Sequence, residues 1–357
     1  TSLTQIPTDL RTTTPALFLT RWITHICAPT FVFLSGTSAY ISFSRMKNIR
    51  SSRNFLLTRG LWLILLEFTV VNFGLWFDIH FQVLLFDVIA AIGFGFIVLS
   101  LLLNLSARTI GIIGLIIIFS HDIFLLIPFS ENSIVKMILM PFFGPGVMPL
   151  SATRNFVMGY PPIPWLGIML TGFGAGSLFE LPSTNRKKIF SMIGIASLVL
   201  FIVLRMINIY GDPIPWKQEK NVLYTILSFV NVTKYPPSLL FCLLMLGFTF
   251  LLLRITEQSE NLISKIAIVY GRVPLFYFIV HFYIIHLLTF LMVFLQGFKS
   301  SDLVFGFNFG RPAAGSGVNL AAIYLNWIGV VIILFPLCQW YGRCKLNHPD
   351  KLWLRYL

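Results

Sequence analysis

Ionisable side chains are scarce in this chain, and those that interrupt its apolar runs are the first candidates for chemistry. Glu67, Asp87, His281 and His286 stand in otherwise hydrophobic stretches, as do His25, Arg59 and Arg205. His121 and Asp122 are adjacent near the end of another run, and Asp78 and His80 mark a short polar break. An imidazole exchanges protons near neutral pH, and a carboxylate beside it orients the ring and balances its charge. It can also carry an acyl group as a nucleophile. An ionisable group within a membrane span is costly and therefore a functional hypothesis by default. Spacing limits which groups cooperate. His286 follows His281 by five residues, about 140° around a helix, so the two face different directions.

Each group also has a plainer explanation. Arg59 can reach along its helix to the membrane surface. Glu67 can form a buried ion pair, and His281 a hydrogen bond between helices. His121, Asp122, Asp78 and His80 lie close enough to the interface to be solvated. His25 lies beside Pro29, where helix hydrogen bonding opens locally. The signatures GxSxG, P-loop and HExxH are absent. The stretch Gly172-Phe173-Gly174-Ala175-Gly176 sits in an apolar run and reads as close helix packing. Cys27, Cys242, Cys338 and Cys344 form no CxxC pair. They read as small hydrophobes, with no metal site or disulfide framework expected.

The elements that carry these groups follow from composition. The 357 residues are 57% hydrophobic and 11% charged, with a mean hydropathy of +0.84. Soluble domains carry about a quarter charged residues, so this chain requires a bilayer as solvent. The expected fold is an all-α, polytopic transmembrane helical bundle forming a single membrane domain over 1–357. Spans are predicted at 22–43, 53–77, 82–104, 107–127, 161–180, 188–208, 236–256, 267–295 and 320–343, about nine in all.

The net charge of +13 does not point to nucleic acid, because the basic residues crowd short loops where topology uses them. Arg45, Lys47, Arg50 and Arg53 fill the first, and Arg108 and Arg186-Lys187-Lys188 fall on the same side. That side is expected to be cytoplasmic, with the C-terminus. The start of the chain then lies outside. Thr1–Thr14 has no signal-peptide pattern. A further upstream helix is therefore expected, giving about ten in the complete protein. The long loops 128–160, 209–235 and 296–319 fall outside. They are rich in Pro, Gly and aromatics and are expected to cap an outward site. His25, Asp78, Asp87, Arg205 and His286 fall in the outer half, and Glu67 and His281 near the midplane. These groups are expected to converge on one outward cavity.

Several segments carry a family resemblance. They are Thr12-Thr13-Thr14-Pro15-Ala16-Leu17-Phe18, Arg21-Trp22-Ile23-Thr24-His25 through Ser35-Gly36, and Leu57-Thr58-Arg59-Gly60-Leu61-Trp62-Leu63 with Glu67. Others are Tyr160-Pro161 with Pro164-Trp165, Lys234-Tyr235-Pro236-Pro237-Ser238-Leu239, and Gly271-Arg272-Val273-Pro274-Leu275-Phe276-Tyr277 through His281 and His286. Trp353-Leu354-Arg355-Tyr356-Leu357 closes the set. Together they resemble a bacterial membrane family grouped with the catalytic domain of heparan-α-glucosaminide N-acetyltransferase.

The resemblance implies transmembrane acyl transfer, with cytosolic acetyl-CoA as donor and an amino-sugar amine on the far side as acceptor. The usual first helix of the family, which ends in an Asp-His pair, has no counterpart here. The histidine usually assigned to catalysis has no match between Thr1 and Arg21, and Ala90-Ala91 replaces a Gln-Arg pair. His281 aligns with a late-helix histidine of the family.

The expected function is a bacterial inner-membrane acyltransferase that uses acetyl-CoA and no metal. Its acceptor is a glycan or amino-sugar-like molecule at the periplasmic face. His281, His25, Glu67, Asp87 and Asp78 are the catalytic candidates. Arg59, His286, Arg205 and Trp165 are the candidates for substrate binding. The expected partners are the lipid bilayer, the acceptor and a second copy of the chain, with no nucleic acid. A transporter or flippase for a polar molecule or lipid-linked sugar would use the same charges as a path. A non-catalytic membrane subunit would pair them with one another.

Overall fold

The computed structural model describes residues 6–46, 48–127, 134–348, 350, 351 and 354. Lys47, the segment 128–133 and, from the closing motif, Trp353, Arg355, Tyr356 and Leu357 lie outside the described residues. The chain is an all-α polytopic bundle. In order come α1 (Pro15–Ile23), α2 (Cys27–Met46), α3 (Ile49–Leu66), α4 (Asn72–Trp76), β1 (Val83–Phe86), α5 (Val88–Leu102), α6 (Ala107–Leu126) and α7 (Ile134–Phe143). Then follow β2 (Gly146–Pro149), β3 (Asn155–Met158), α8 (Pro162–Ala175), α9 (Ser183–Ile207), α10 (Val222–Val230), α11 (Leu239–Thr256), α12 (Leu262–Gly271), α13 (Pro274–Leu295) and α14 (Leu320–Asn347).

Eight helical segments among the described residues are long and apolar enough to cross a membrane. The first joins α1 and α2, and the second runs from α3 through α4. The expected third span, 82–104, is divided: its first residues form β1, and α5 has only 15 residues. At 1.5 Å per residue α5 is about 22 Å long, short of a full hydrocarbon core. The expected span 267–295 likewise divides at Gly271–Pro274 into α12 and α13. Proline fits the first helical turn but not a helix interior, so Pro274 starts a new helix.

The centre of the bundle is α8 and α11, the two spans most enclosed by protein. Glycines let backbones touch there, as in close membrane helix pairs. A β-carbon at Gly36 of α2 would overlap the Met169 carbonyl oxygen of α8, and one at Gly172 would overlap the Phe33 carbonyl. Gly60 of α3 and Gly93 of α5 would each place it 2.6 Å from the other's carbonyl oxygen. The Gly172–Gly176 stretch therefore packs helices, as its apolar setting indicates. Gly36→Val should force α2 and α8 apart and cost about 1–3 kcal/mol. The expected result is a lower unfolding midpoint in detergent, with no such fall for Gly329→Ala, where nothing lies near the added carbon.

Contacts between helix ends divide the bundle into two poles. At one, Arg53 donates to the Ser100 carbonyl and to Asn104, and Arg186 pairs with Glu257. This basic end gathers the short loops. The opposite end carries a three-stranded sheet of order β1-β3-β2. β1 pairs parallel with β3, from Val83↔Asn155 to Phe86↔Met158, and β2 pairs antiparallel with β3, from Gly146↔Met158 to Pro149↔Asn155. Asn72 closes the free edge of β1. Its amide donates to the Val83 carbonyl at 3.0 Å and accepts from the Leu85 N–H at 3.0 Å. The loop 128–160, expected as a cap, thus supplies two strands to a sheet whose third strand, Val83–Phe86, lies far earlier in the chain, where local periodicity carries no trace of the pairing.

Candidate active site

The sheet delivers Asp87 to the start of α5. β1 ends at Phe86, and Asp87 occupies the position before the first helical residue. A residue there normally caps the helix with its side chain, but the Asp87 carboxylate does not. Glu67 takes over that task. It lies at the start of a π turn, Glu67–Val71, is 1% exposed, and accepts from the Ala90 N–H at 2.9 Å. A wide turn of this kind shifts the helix phase and often marks a functional site. The helix N-terminus is a favourable place for its negative charge.

Relieved of capping, Asp87 lines a cavity of about 490 Å³ with Leu85, Val157, Tyr160 and Tyr235. Burial pushes the Asp87 carboxyl up to about 6, although the Val88 N–H and the positive charge of Lys234 act against the rise. Its proton affinity therefore suits a base near neutral pH. Burial raises the Tyr160 phenol well above the ordinary tyrosine range, and Asp87 adds to that rise. Tyr160 is buried and stacks on Trp165, with ring centres 4.5 Å apart and planes at 28°. Tyr235 meets Tyr160 edge-on at 5.5 Å. The Lys234 ammonium lies over both rings, 5.0 Å from the centre of Tyr235 and 5.8 Å from that of Tyr160.

His25 is linked to this group through the charge of Lys234. Pro29 removes the N–H that would bond the His25 carbonyl in an α-helix, and the chain forms a 3₁₀ turn over Thr24–Ile26. The turn directs His25 into the protein, where it is 6% exposed and lies 6.1 Å from the Phe241 ring. Its Nδ1 has no hydrogen-bond partner. Lys234 is within electrostatic reach of both His25 and Asp87.

The other candidates lie elsewhere. His281 is half-buried in α13, places Nδ1 on the Phe278 carbonyl and stacks on Tyr277 at 5.6 Å. Of the expected convergence, Asp87 alone lines the cavity. Glu67 lies within electrostatic reach of it, and His25 shares Lys234 with it as a charged neighbour. None of α13, His281 included, lines the cavity. His286 is buried and stacks on Phe77 at 4.4 Å. Asp78 accepts from the N–H groups of His80 and Gln82, at 2.9 and 3.0 Å, and so shapes the turn before β1. Arg59 lies toward the basic end, within electrostatic reach of Lys345. Trp165, 1% exposed, is the floor beneath Tyr160.

His121 and Asp122 are not solvated, as their place in the sequence indicated, but buried. His121 donates from Nε2 to the Pro237 carbonyl at 2.7 Å, and Asp122 accepts from the Leu239 N–H at 2.9 Å. Packing of α6 against the start of α11 excludes water from both.

Arg205 is 1% exposed and donates to the carbonyls of Phe229, Ile214, Ser228 and Asn231, at 2.9 to 3.1 Å. Beside it, at 3.9 Å, is Asp212, which sequence reasoning passed over because Gly211-Asp212-Pro213 reads as an ordinary turn. The Asp212 carboxylate accepts from the Thr233 N–H at 2.8 Å, the Thr233 hydroxyl at 2.9 Å and the Ser238 hydroxyl at 2.7 Å. Arg205 and Asp212 thereby hold the segment that presents Lys234 and Tyr235. Tyr160, Lys234 and Tyr235 were visible in the sequence only as parts of motifs. Among the described residues, no three His, Cys, Asp or Glu side chains gather as a metal site requires.

Residues 7–210 match the family model described as heparan-alpha-glucosaminide N-acetyltransferase, catalytic. That stretch contains His25, Glu67, Asp87, Tyr160 and Trp165. No curated protein matches the chain.

Proposed function

The chain belongs to the heparan-alpha-glucosaminide N-acetyltransferase catalytic family, and from that premise we propose that it transfers an acetyl group from acetyl-CoA to an amino-sugar-like acceptor in the Asp87 cavity. The observation that carries this reading is a carboxylate with proton affinity near neutrality, set in an aromatic cavity within the family-matched region. The acceptor amine attacks the thioester carbonyl, the C–S bond breaks, and CoA leaves as the thiolate. Asp87 takes the proton that the amine loses, and that proton can pass to the leaving thiolate. Tyr235 offers a ring face to a sugar, and Tyr160 on Trp165 forms a rigid wall. Lys234 balances the charge of Asp87, and His25 offers an unpaired ring nitrogen as a second proton site.

Acetyl-CoA would approach from the basic end, where Arg50, Arg272 and Arg343 are exposed. Guanidinium groups bind phosphates through paired, charge-assisted hydrogen bonds. In this reading the basic end faces the cytoplasm and the sheet the periplasm of a bacterial inner membrane. The test is the full chain in proteoliposomes with radiolabelled acetyl-CoA and glucosamine. Labelled N-acetylglucosamine supports the proposal, and no product above empty vesicles, with either side of the protein supplied, overturns it.

A smaller effect checks the aromatic wall. Tyr235→Ala should raise KM for the acceptor about tenfold, from the loss of a ring contact, while leaving kcat nearly unchanged. Acceptor-dependence curves at saturating acetyl-CoA measure this directly.

A further inference from the structure

A groove unrelated to the Asp87 cavity runs along the side of the bundle. Its volume is about 540 Å³, and α6, α8, α9 and α11 line it. The cause is the way these helices pair. Gly111 and Gly174 bring α6 and α8 into backbone contact, and Gly194 and Gly247 do the same for α9 and α11. Each pair is tight, and a slot remains between them.

One face of α6 supplies Arg108, Ile112, Leu115 and Phe119 to the groove, and α9 and α11 supply Ile193 and Leu246 opposite. From Arg108 to Phe119 is eleven residues, about 16 Å of helix rise. One leaflet of a hydrocarbon core is about 15 Å thick. The wall is almost wholly apolar, as an acyl chain requires.

The end of the groove is different in kind. Arg108 is exposed in the first turn of α6, at the basic pole, and no hydrogen bond or ion pair engages it among the described residues. A guanidinium at this level sits where phospholipid phosphates lie, and helix N-termini favour anions. Exposed Ile112 and Leu115 continue the apolar wall into the membrane.

We infer that this groove binds one phospholipid of the leaflet at the basic end, an acyl chain filling the slot and an anionic headgroup resting on Arg108. The proposal is independent of the acyl-transfer reading, since the groove shares no residue with the Asp87 cavity.

The test is native mass spectrometry of the full chain in mild detergent, titrated with phosphatidylglycerol or with phosphatidylcholine of the same chains. The wild type should retain phosphatidylglycerol preferentially. Arg108→Gln, a surface change that leaves the packing intact, should lower phosphatidylglycerol occupancy about fivefold, the worth of one basic contact at a membrane surface. It should leave phosphatidylcholine occupancy as it was. Leu115→Trp fills the slot and should lower both.

Equal retention of the two lipids by the wild type overturns the proposal. So does unchanged occupancy in both variants, or a dimer mass that Leu115→Trp abolishes, which would make the groove a contact between copies. A thermal midpoint within a few degrees of wild type confirms that each variant is folded when measured.

Discussion

Asp87→Asn should lower acetyl transfer by about a hundred- to ten-thousand-fold, the usual contribution of a positioned general base. Asparagine keeps the shape of the side chain and removes the basic oxygen. The pH profile identifies the cause. Asp87 is pushed up to about 6 by burial, so the wild-type rate should fall as the pH drops through about 6 and the base becomes protonated. The residual rate of the variant should lack that limb.

Stability should move the other way. A carboxyl whose pKa is raised on folding binds its proton more tightly in the native state. Stability therefore falls as the pH rises from the unfolded value of 3.8 through the folded value of about 6, and the loss is complete above it. Asp87→Asn should therefore raise the unfolding midpoint at pH 8 and leave it near wild type at pH 4. A variant that keeps full activity and the acid limb would show that Asp87 is not the base. One that unfolds at pH 8 would show that Asp87 holds the start of α5, a task the structure gives to Glu67.

The second large effect is expected far from the reacting atoms. Arg205→Leu should destabilise the protein by about 3–5 kcal/mol, as loss of one partner from a buried charge pair does. The leucine leaves four carbonyls without their donor and Asp212 without its counter-charge, in a place where both side chains are 1% exposed. Arg205→Lys should recover little, because one ammonium cannot reach carbonyls spread along 214–231. The measurement is the thermal midpoint in detergent, read beside the KM for acceptor. The segment from Thr233 to Ser238 hangs on Asp212. Loosening it should weaken acceptor binding through Lys234 and Tyr235 even at temperatures where the protein stays folded. A normal midpoint in Arg205→Leu would remove Arg205 and Asp212 from this supporting role.

Much of the molecule is determined by the sequence alone. Long apolar runs leave backbone groups that only an α-helix satisfies in lipid, and so the spans near 22–43, 188–208 and 320–343 reappear as Pro15–Met46, Ser183–Ile207 and Leu320–Asn347. The basic loops mark one pole, and the buried ionisable groups mark His25, Glu67 and Asp87, because each departure from an apolar background is visible locally. What local pattern cannot carry is pairing across distance. The sheet joins strands from two separate stretches, and an Asn72 amide completes its edge, so its hydrogen bonds have no periodic signature. The same holds for Asp212, an ordinary turn residue until Arg205, Thr233 and Ser238 surround it.

Packing, not residue type, sorts the ionisable side chains of this chain. Arg205 and Asp78 are held by backbone groups, and His121 and Asp122 lie 3.2 Å from each other while bonding the Pro237 carbonyl and the Leu239 N–H. Asp87 alone among these carboxylates faces an aromatic cavity, because Glu67 caps α5 in its place. The sequence determined which side chains are costly to bury. Only the tertiary structure decided which of them have a partner already and which keep a lone pair for a substrate, since that depends on the donors folding brings within 3 Å.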